Sequence, residues 1–328
     1  MKLSALDSLP SFALLGPGFS RGGFVLVAPL EPATGAAQVV YAPYESAGSA
    51  AQVYTGEVFR AASLAVDVRP AVLQPRLDHR GHGDAVESIR TAIAAGDVYQ
   101  VNLTLRAHLD CDSGAGLFAA LLRHGVPRFA AWVRLPSGEE FVSASPELLF
   151  ALGGGVVRCE PMKGTARPDC AGELARSDKD RAELAMITDL VRNDLTPVCE
   201  PRSVRVTCAR RTVSLHYALQ TVSDVEGRLL PSRGPLDVLA ALHPGGSVTG
   251  APKHAAMRLI AALETSPRGP YCGALGFVEE DGAVFGLSIR TAWRRADGWV
   301  YGVGGGIVWD SDPALELEEA RLKLGALL

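Results

Sequence analysis

The sequence lacks the features of membrane-spanning and exported proteins. No apolar run reaches about 18 residues, so the sequence predicts no transmembrane helix. The N-terminal segment MKLSALDSLPSFALLGPG has no basic stretch followed by an apolar stretch and a small-residue cleavage site, which argues against a secretory signal. The 6 cysteines form no CxxC pair, a pattern that fits a reducing compartment. We therefore expect a cytoplasmic protein without a membrane partner.

The chain also has no excess of positive charge. The chain has 32 Lys and Arg against 36 Asp and Glu, a net charge of -4. A nucleic-acid-binding protein needs a basic excess to neutralise phosphates, so we expect no nucleic-acid partner. The sequence also has no internal repeat and no low-complexity tract. With 48% hydrophobic and 21% charged residues, the composition is typical of a globular protein.

Hydrophobic periodicity predicts both helices and strands. The clearest strand is 99–109, where apolar and polar residues alternate strictly. Other segments with strand character are 128–134, 140–151, 155–160, 202–209, 212–225, 271–279, 283–294 and 298–308. Segments with helical character are 84–95, 115–124, 178–193, 234–242, 252–265 and 313–326. Because strands come in runs with short connections, we predict an α+β fold with large, mainly antiparallel sheets.

Three segments partly match motifs that bind phosphate, dinucleotides or zinc, but each lacks residues that the motif requires. The segment Gly245–Lys253 has the glycine spacing of a phosphate-binding P-loop, but Ala251 and Pro252 stand where that loop needs Lys and Ser or Thr. The glycines of 302–306 run into Ile-Val-Trp and not into a helix that could bind a pyrophosphate. The HRGHGD segment has no cysteine nearby, so surface histidines explain it better than a zinc site.

Two predicted helices carry paired carboxylates. Asp180 and Glu183 are three residues apart and so share a helix face, and Glu316 and Glu319 repeat that spacing in the last helix. Such pairs usually form solvated acidic faces. Carboxylates are also the ligands that a hard Mg²⁺ ion takes. From spacing alone, both interpretations stay open.

A lysine and a glutamate lie at predicted chain kinks. Lys163 precedes a glycine in Pro161–Thr165, and Glu147 follows Ser-Pro. Taken singly, each is more often a surface residue than a catalyst. A lysine must be neutral to act as a nucleophile, whereas a glutamic acid that donates a proton needs a raised pKa.

Together these segments resemble the chorismate-utilising enzymes. The resemblance spans about residues 84–328 and rests on seven motifs in the order of the family. They are Gly96–Thr104, Ser145–Glu147, Pro161–Thr165, Glu183–Leu195, Pro244–Lys253, Ser288–Thr291 and Gly304–Val308. The resemblance implies two large sheets packed centrally with helices outside. It also implies a short N-terminal portion, 1–80, packed on a chorismate-binding catalytic domain, 81–328.

The same resemblance implies chorismate as substrate and Mg²⁺ as cofactor. Glu183 and Glu319 match direct metal ligands, and Asp180 and Glu316 match carboxylates that reach the ion directly or through water. The ion would hold one substrate carboxylate. Residues that match contacts to the other carboxylate are Arg290, Tyr271 and the backbone of Gly306. Residues that match contacts around the ring are Gly164, Thr165, Gly246 and Ser247. Gln220 stands where the family often has a histidine, although His216 nearby leaves that alignment open.

Within the family, the sequence resembles specifically the component I chains of aminodeoxychorismate synthase. Those members carry a lysine at the position of Lys163, where it attacks C2 of chorismate while an acid matching Glu147 assists departure of the C4 hydroxyl. The expected product is 4-amino-4-deoxychorismate, a precursor of 4-aminobenzoate and folate. Isochorismate-forming relatives carry a water-activating lysine where this chain has Gln100.

Two alternatives remain from the sequence. One is the large subunit of anthranilate synthase, which usually has alanine at position 163, and the other is a non-catalytic chorismate-binding protein. None of the 6 cysteines lies in a G-x-C-x-G elbow, so the chain has no evident thiol for releasing ammonia from glutamine. We therefore expect a separate glutamine amidotransferase subunit as a partner.

Overall fold

The structure is a computed structural model of the chain. It describes residues 12–15, 24–27, 31–32, 38–46, 51–55, 57–60, 70–123, 125–135, 137–166, 174, 176–214, 218–280 and 282–325. The strands, in chain order, are β1 Phe12–Leu15, β2 Phe24–Val27, β3 Glu31–Pro32, β4 Gln38–Ala42, β5 Gln52–Thr55, β6 Glu57–Arg60, β7 Pro75–Asp78, β8 Gln100–Leu109, β9 Phe129–Arg134, β10 Glu140–Ser145, β11 Leu148–Gly153, β12 Val156–Cys159, β13 Met162–Ala166, β14 Arg205–Ser214, β15 Leu219–Arg228, β16 Gly250–Ala251, β17 Ala274–Glu279, β18 Gly282–Leu287, β19 Thr291–Arg295 and β20 Gly298–Ile307. The helices are α1 His82–Ala94, α2 Gly114–Leu122, α3 Asp178–Leu195, α4 Pro235–Leu242, α5 Gly246–Thr249, α6 Lys253–Leu263 and α7 Pro313–Gly325.

Two sheets, each of ten described strands, form the centre of the molecule. The first has the order β16-β8-β20-β19-β10-β9-β2-β1-β6, with β7 also paired to β8. The second has the order β13-β15-β12-β11-β18-β17-β4-β5-β3, with β14 also paired to β15. Among the described strands, β1 with β6 and β2 with β9 are the parallel pairs, and the other neighbours are antiparallel. The predicted α+β fold with mainly antiparallel sheets is confirmed.

Two predicted strands each divide between the sheets. The segment 140–151 forms β10 in the first sheet and β11 in the second, and the segment 283–294 forms β18 in the second and β19 in the first. Apolar residues dominate both sides of each break, and the strands are buried on both faces, so the sequence pattern alone does not reveal the change of sheet. The two crossovers lie side by side, since Leu287 N donates to Glu147 O at 3.1 Å and Ala144 N donates to Arg290 O at 3.1 Å. The chain thus places Glu147 and Arg290 on neighbouring connections.

The predicted boundary between the strands 202–209 and 212–225 is also wrong. Strand β14 ends at Ser214 and strand β15 begins at Leu219, so the observed boundary lies several residues later than the predicted one. Strand β14 lies beside β15 and is largely exposed, so its polar residues reflect solvent contact and do not mark a turn.

Aromatic side chains from both sheets fill the core between them. Phe150 and Phe285 of the second sheet stack with ring centroids 4.7 Å apart, and Tyr41 lies 5.0 Å from Phe141 of the first. A Cβ at Gly286 would lie 2.7 Å from the ring of Phe129, so the sheets approach closely beside the crossovers. This close packing fixes the connection that carries Glu147.

Described strands from the first 80 residues take part in both sheets. Strand β2 pairs with β9, β4 with β17, and β7 with β8. The expected division of the chain after residue 80 stays a prediction. Within the described part of the chain, the helices are all too short or too polar to cross a membrane.

Candidate active site

A bulge in β13 presents Lys163. In the pairing of β13 with β15, Lys163 lies opposite Thr221 and Thr165 lies opposite Gln220, so Gly164 is the extra residue between them. Gly164 has a φ of 73°, and a Cβ there would lie 2.9 Å from Cγ of Asp180. Glycine is therefore required both by the backbone and by the approach of Asp180. The side chain of Thr165 lies outside the described residues.

The Lys163 amine faces the acidic side of α3. Its Nζ lies 3.6 Å from Oε2 of Glu183, and Nζ of Lys179 lies 4.0 Å from the other oxygen. Helix α3 begins beside Ser177, whose hydroxyl accepts a hydrogen bond from Asp180 N at 3.1 Å. This N-terminal cap orients the first turn and thereby its acidic residues. The structure brings Lys163 close to Glu183, and Asp180 close to the backbone of Gly164; their predicted roles stay predictions.

The acidic face of α7 lies against β20. A Cβ at Gly305 would lie 3.4 Å from a carboxylate oxygen of Glu316 and 3.7 Å from one of Glu319. Glu316 accepts a hydrogen bond from the Ser311 hydroxyl at 2.6 Å. Glu319 forms a 2.6 Å ion pair with Lys323.

Electrostatics link this face to α3 and β13. Burial by itself would raise the pKa of Glu319, but the positive charges of Lys323, Lys179 and Lys163 lower it below the usual value. Because Lys163 and Lys179 also face Glu183, the two acidic faces border the same group of lysines.

The four carboxylates suit a hard divalent cation by their chemistry. Oxygen ligands from Asp and Glu are those that Mg²⁺ takes, and carboxylates from two helices flank Lys163. Among the described residues, no group of three or more Asp, Glu, His or Cys side chains is close enough together to hold a metal ion. The assignment of Asp180, Glu183, Glu316 and Glu319 as ligands stays a prediction.

Glu147 occupies a buried position within range of the charge of Lys163. Glu147 is 7% exposed, and Ser247 Oγ donates to its Oε1 at 2.8 Å. Burial raises the pKa of Glu147 to about 7, against the hydrogen bond from Ser247 and the charge of Lys163, which both lower it. A carboxyl group with this pKa exchanges its proton near neutral pH, as a general acid must.

Ser145 bonds the backbone at Glu147, and Ser247 bonds its carboxylate. Ser145 Oγ donates to Leu287 O at 2.5 Å and accepts from Glu147 N at 3.2 Å. Ser247 lies on α5, whose Gly246 packs so closely on α3 that a Cβ would lie 2.6 Å from Leu190. The short helix thus carries Ser247 to Glu147, whereas the sequence resemblance implies a contact with the substrate ring.

Tyr271 packs against β20, the strand that contains Gly306. The ring of Tyr271 occupies the space that a side chain at Gly302 would need, and the Gln100 side chain does the same at Gly306. Burial raises the pKa of Tyr271 well above its usual value, so the phenol stays protonated.

Arg290 lies on the second crossover, where it has a φ of 53°. This connection is bonded to the residue after Tyr271, because Cys272 N donates to Ser288 O at 2.8 Å. The structure therefore joins the connections that carry Arg290 and Tyr271. Gln220 is buried in β15 opposite Thr165, and His216 lies outside the described residues, so their relation to the family's histidine stays open.

Arg268 is a buried residue beside the site that no pattern in the sequence indicates. This guanidinium is buried and donates to Val248 O at 2.6 Å and Asn102 O at 2.7 Å, while it pairs with Glu264 at 2.6 Å. It joins α5 to β8 beside the site. An isolated arginine in a loop gives no periodic signal, so the pattern of the sequence could not reveal it.

Comparisons with known proteins identify the family. Residues 49–328 match the family model described as chorismate binding enzyme. Anthranilate synthase component 1 of Streptomyces coelicolor is 38% identical over 289 residues, which are 81% of this chain and 56% of that protein. The corresponding protein of Aeropyrum pernix is 37% identical over 256 residues, covering 74% of this chain and 57% of its own length. The chain thus spans about half the length of the curated relatives it matches.

Solved structures agree on the fold. The anthranilate synthase component I of Streptococcus pneumoniae superposes with a TM-score of 0.71 at 31% identity, covering 80% of this chain and 60% of that one. The menaquinone-specific isochorismate synthase MenF of Escherichia coli gives a TM-score of 0.74 at 19% identity, covering 89% and 78%, and supports the fold alone. The family match and the shared architecture lead to one conclusion: the chain belongs to the chorismate-binding enzyme family.

Proposed function

We propose that the chain is the component I of an aminodeoxychorismate synthase, which converts chorismate and ammonia to 4-amino-4-deoxychorismate. The observation that carries this proposal is Lys163, held on a glycine bulge and flanked by buried Glu147 and by Glu183. A nucleophile and an acid in one pocket are what this amination needs.

In the proposed reaction, the Lys163 amine attacks C2 of chorismate as the ring double bond shifts and the C4–O bond breaks. The departing hydroxyl takes the proton of Glu147 and leaves as water. Ammonia then forms a bond to C4, the double bond shifts back, and the bond between C2 and the lysine nitrogen breaks. Glu147 suits the acid step because burial keeps its carboxyl protonated up to a pH of about 7.

Asp180, Glu183, Glu316 and Glu319 would hold Mg²⁺ in this proposal. The ion would supply positive charge that binds one carboxylate of chorismate. Arg290, with Tyr271 and the backbone of Gly306, would bind the other, since a guanidinium pairs bidentately with a carboxylate. Gly164, Thr165 and Gly246 would line the ring.

A separate glutamine amidotransferase subunit would supply the ammonia. The absence of a G-x-C-x-G elbow around any of the 6 cysteines of the sequence supports this partner. The product would enter the synthesis of 4-aminobenzoate and folate.

Anthranilate synthesis is the second candidate. The relatives from Streptomyces coelicolor, Aeropyrum pernix and Streptococcus pneumoniae are all named anthranilate synthase, which favours this activity. It would use the same carboxylates and the same substrate contacts, but ammonia would attack C2 directly. Lys163 stands against it, because a lysine amine at this place competes with ammonia for C2.

The deciding experiment is product analysis. The purified chain is incubated with chorismate, Mg²⁺ and ammonium, and the products are separated and identified by mass and fluorescence. We expect 4-amino-4-deoxychorismate without release of pyruvate. Fluorescent anthranilate together with stoichiometric pyruvate would reject the proposal in favour of the second candidate.

A further inference from the structure

The Ser247 hydroxyl contacts Glu147. Its Oγ donates to Oε1 of the carboxyl group at 2.8 Å, and it is the only described side chain for which a hydrogen bond to that group is found. The backbone of Glu147 is held independently, by Ser145 Oγ at its N–H and by Leu287 N at its carbonyl. One carboxyl oxygen is therefore occupied, and Oε2 is the oxygen left for the substrate.

Several contacts fix the position of Ser247. Within α5, which carries it, Thr249 Oγ1 donates to Gly245 O at 3.0 Å and so joins the last residue of the helix to the residue before its first. Arg268 donates to Val248 O at 2.6 Å. These bonds limit the movement of the short helix, so the Ser247 hydroxyl is presented to Glu147 without a large loss of conformational entropy.

Few charges act on Glu147. Of the described charged side chains, Lys163 from β13 is the one whose charge bears on it, α5 contributes the Ser247 hydroxyl, and the crossover contributes backbone groups. In such a buried place, one hydroxyl donor has a large effect on the carboxylate, because a hydrogen bond to a charged group is strengthened where water is excluded.

We propose that Ser247 is a positioning residue for the general acid: it occupies Oε1 of Glu147, keeps the transferable proton on Oε2, and stabilises the carboxylate that remains when the proton leaves. The O–H bond of Glu147 breaks, the proton passes to the departing hydroxyl to form water, and the negative charge is held by the Ser247 hydrogen bond. The added ammonia later returns a proton to the carboxylate. The catalytic part of this inference rests on the proposed function, but the Ser247–Glu147 contact does not.

The first test measures Glu147 directly, without substrate. Protein labelled with ¹³C at the glutamate carboxyl carbon is titrated by NMR, and the Glu147 signal is assigned by its loss in Glu147→Gln. We expect Ser247→Ala to raise the midpoint above the parent value of about 7, since it removes a charge-assisted hydrogen bond that lowers the pKa of Glu147. Ser247→Thr keeps the hydroxyl and is expected to restore the midpoint, and Ser247→Cys, a weaker donor, to give an intermediate one.

Thr249→Val is the matched control. It removes a hydroxyl from the same short helix, but that hydroxyl bonds to the backbone of Gly245 and not to Glu147. We expect it to leave the Glu147 midpoint unchanged. An unchanged midpoint in Ser247→Ala, or an equal shift in Thr249→Val, would overturn the proposal.

The second test is kinetic. For Ser247→Ala we expect kcat to fall about tenfold, with KM for chorismate nearly unchanged, and the decline of kcat at high pH to move to higher pH. A raised KM at constant kcat would instead assign Ser247 to substrate binding and overturn its positioning role. A chain that makes neither amino product yet shows the NMR shift would reject the proposed function while supporting the assignment of Ser247 to Glu147.

Discussion

The Lys163 amine lies 3.6 Å from the Glu183 carboxylate, and each side chain is 15% exposed. The expected nucleophile therefore shares its surroundings with an expected metal ligand. The Gly164 bulge explains how both fit, because the chain turns at a φ of 73° and lets the first turn of α3 approach the backbone. The lysine and the glutamate are therefore expected to have different roles at one place, the first in the covalent step and the second in binding Mg²⁺.

Lys163→Ala should strongly reduce formation of 4-amino-4-deoxychorismate or divert residual amination to C2. The expected loss is about 10² to 10⁴ in rate, the general scale for removing a catalytic group of this kind. Lys179→Ala is the control, because that lysine also faces Glu183 but is 60% exposed, and it should retain the parent product. The readout is product identity by mass spectrometry with chorismate and ammonium. Parent-rate formation of the same product by Lys163→Ala would show that the lysine is not covalently involved.

Glu183→Gln and Glu319→Gln should each weaken Mg²⁺ binding, since each removes a ligand charge from a hard cation. Isothermal calorimetry of Mg²⁺ with the purified chain measures this directly. The matched control is Glu318→Gln on the same helix as Glu319, whose carboxylate pairs with Arg321 on an exposed surface. Equal Mg²⁺ affinity for Glu319→Gln and Glu318→Gln would refute the ligand assignment.

Glu147 should make both turnover and stability depend on pH. Its pKa in the folded chain, about 7, lies above the ordinary value of 4.5, so the native state binds the proton more tightly than the unfolded state. The stabilising contribution is full below pH 4.5 and is lost as pH rises to about 7. Turnover should decline as pH rises through about 7, because the acid must be protonated.

Glu147→Gln tests this linkage. The neutral amide avoids a buried charge, so at pH 8 the variant should be more stable than the parent by up to about 3 kcal/mol while its turnover falls. Urea unfolding at pH 5 and pH 8 measures the difference between the proteins. A stability gain that is equal at both pH values would contradict the pKa-based explanation.

Much of the fold follows from sequence patterns, while several contacts of the site do not. Alternation in 99–109 correctly predicts β8, and the helical spacing of Asp180 with Glu183 correctly places them on one face of α3. The division of 140–151 between two sheets could not be predicted, because a mainly apolar strand looks the same whichever sheet it joins. The contact of Ser247 with Glu147 joins residues 100 apart in the chain, and no local pattern encodes it.

Arg268 is expected to contribute strongly to the stability of the fold. Its guanidinium is 1% exposed and bonds Glu264, Asn102 O and Val248 O, and it lies 4.4 Å over the ring of Tyr44. Arg268→Met should lower the free energy of unfolding by about 3 to 5 kcal/mol, because it leaves a buried carboxylate and two carbonyls short of donors.

Arg181→Met is the control for Arg268→Met. Arg181 pairs with Asp178 on the surface of α3 with its side chain 58% exposed, and its loss should cost no more than about 1 kcal/mol. Urea unfolding measures both variants. Since Arg106 also bonds Glu264, the double variant Arg106→Met with Arg268→Met should lose more than the sum of the single losses, because only then does the Glu264 carboxylate have no cation left among its described partners. Additive losses would show that Arg268 stabilises the chain through packing and not through this charge network.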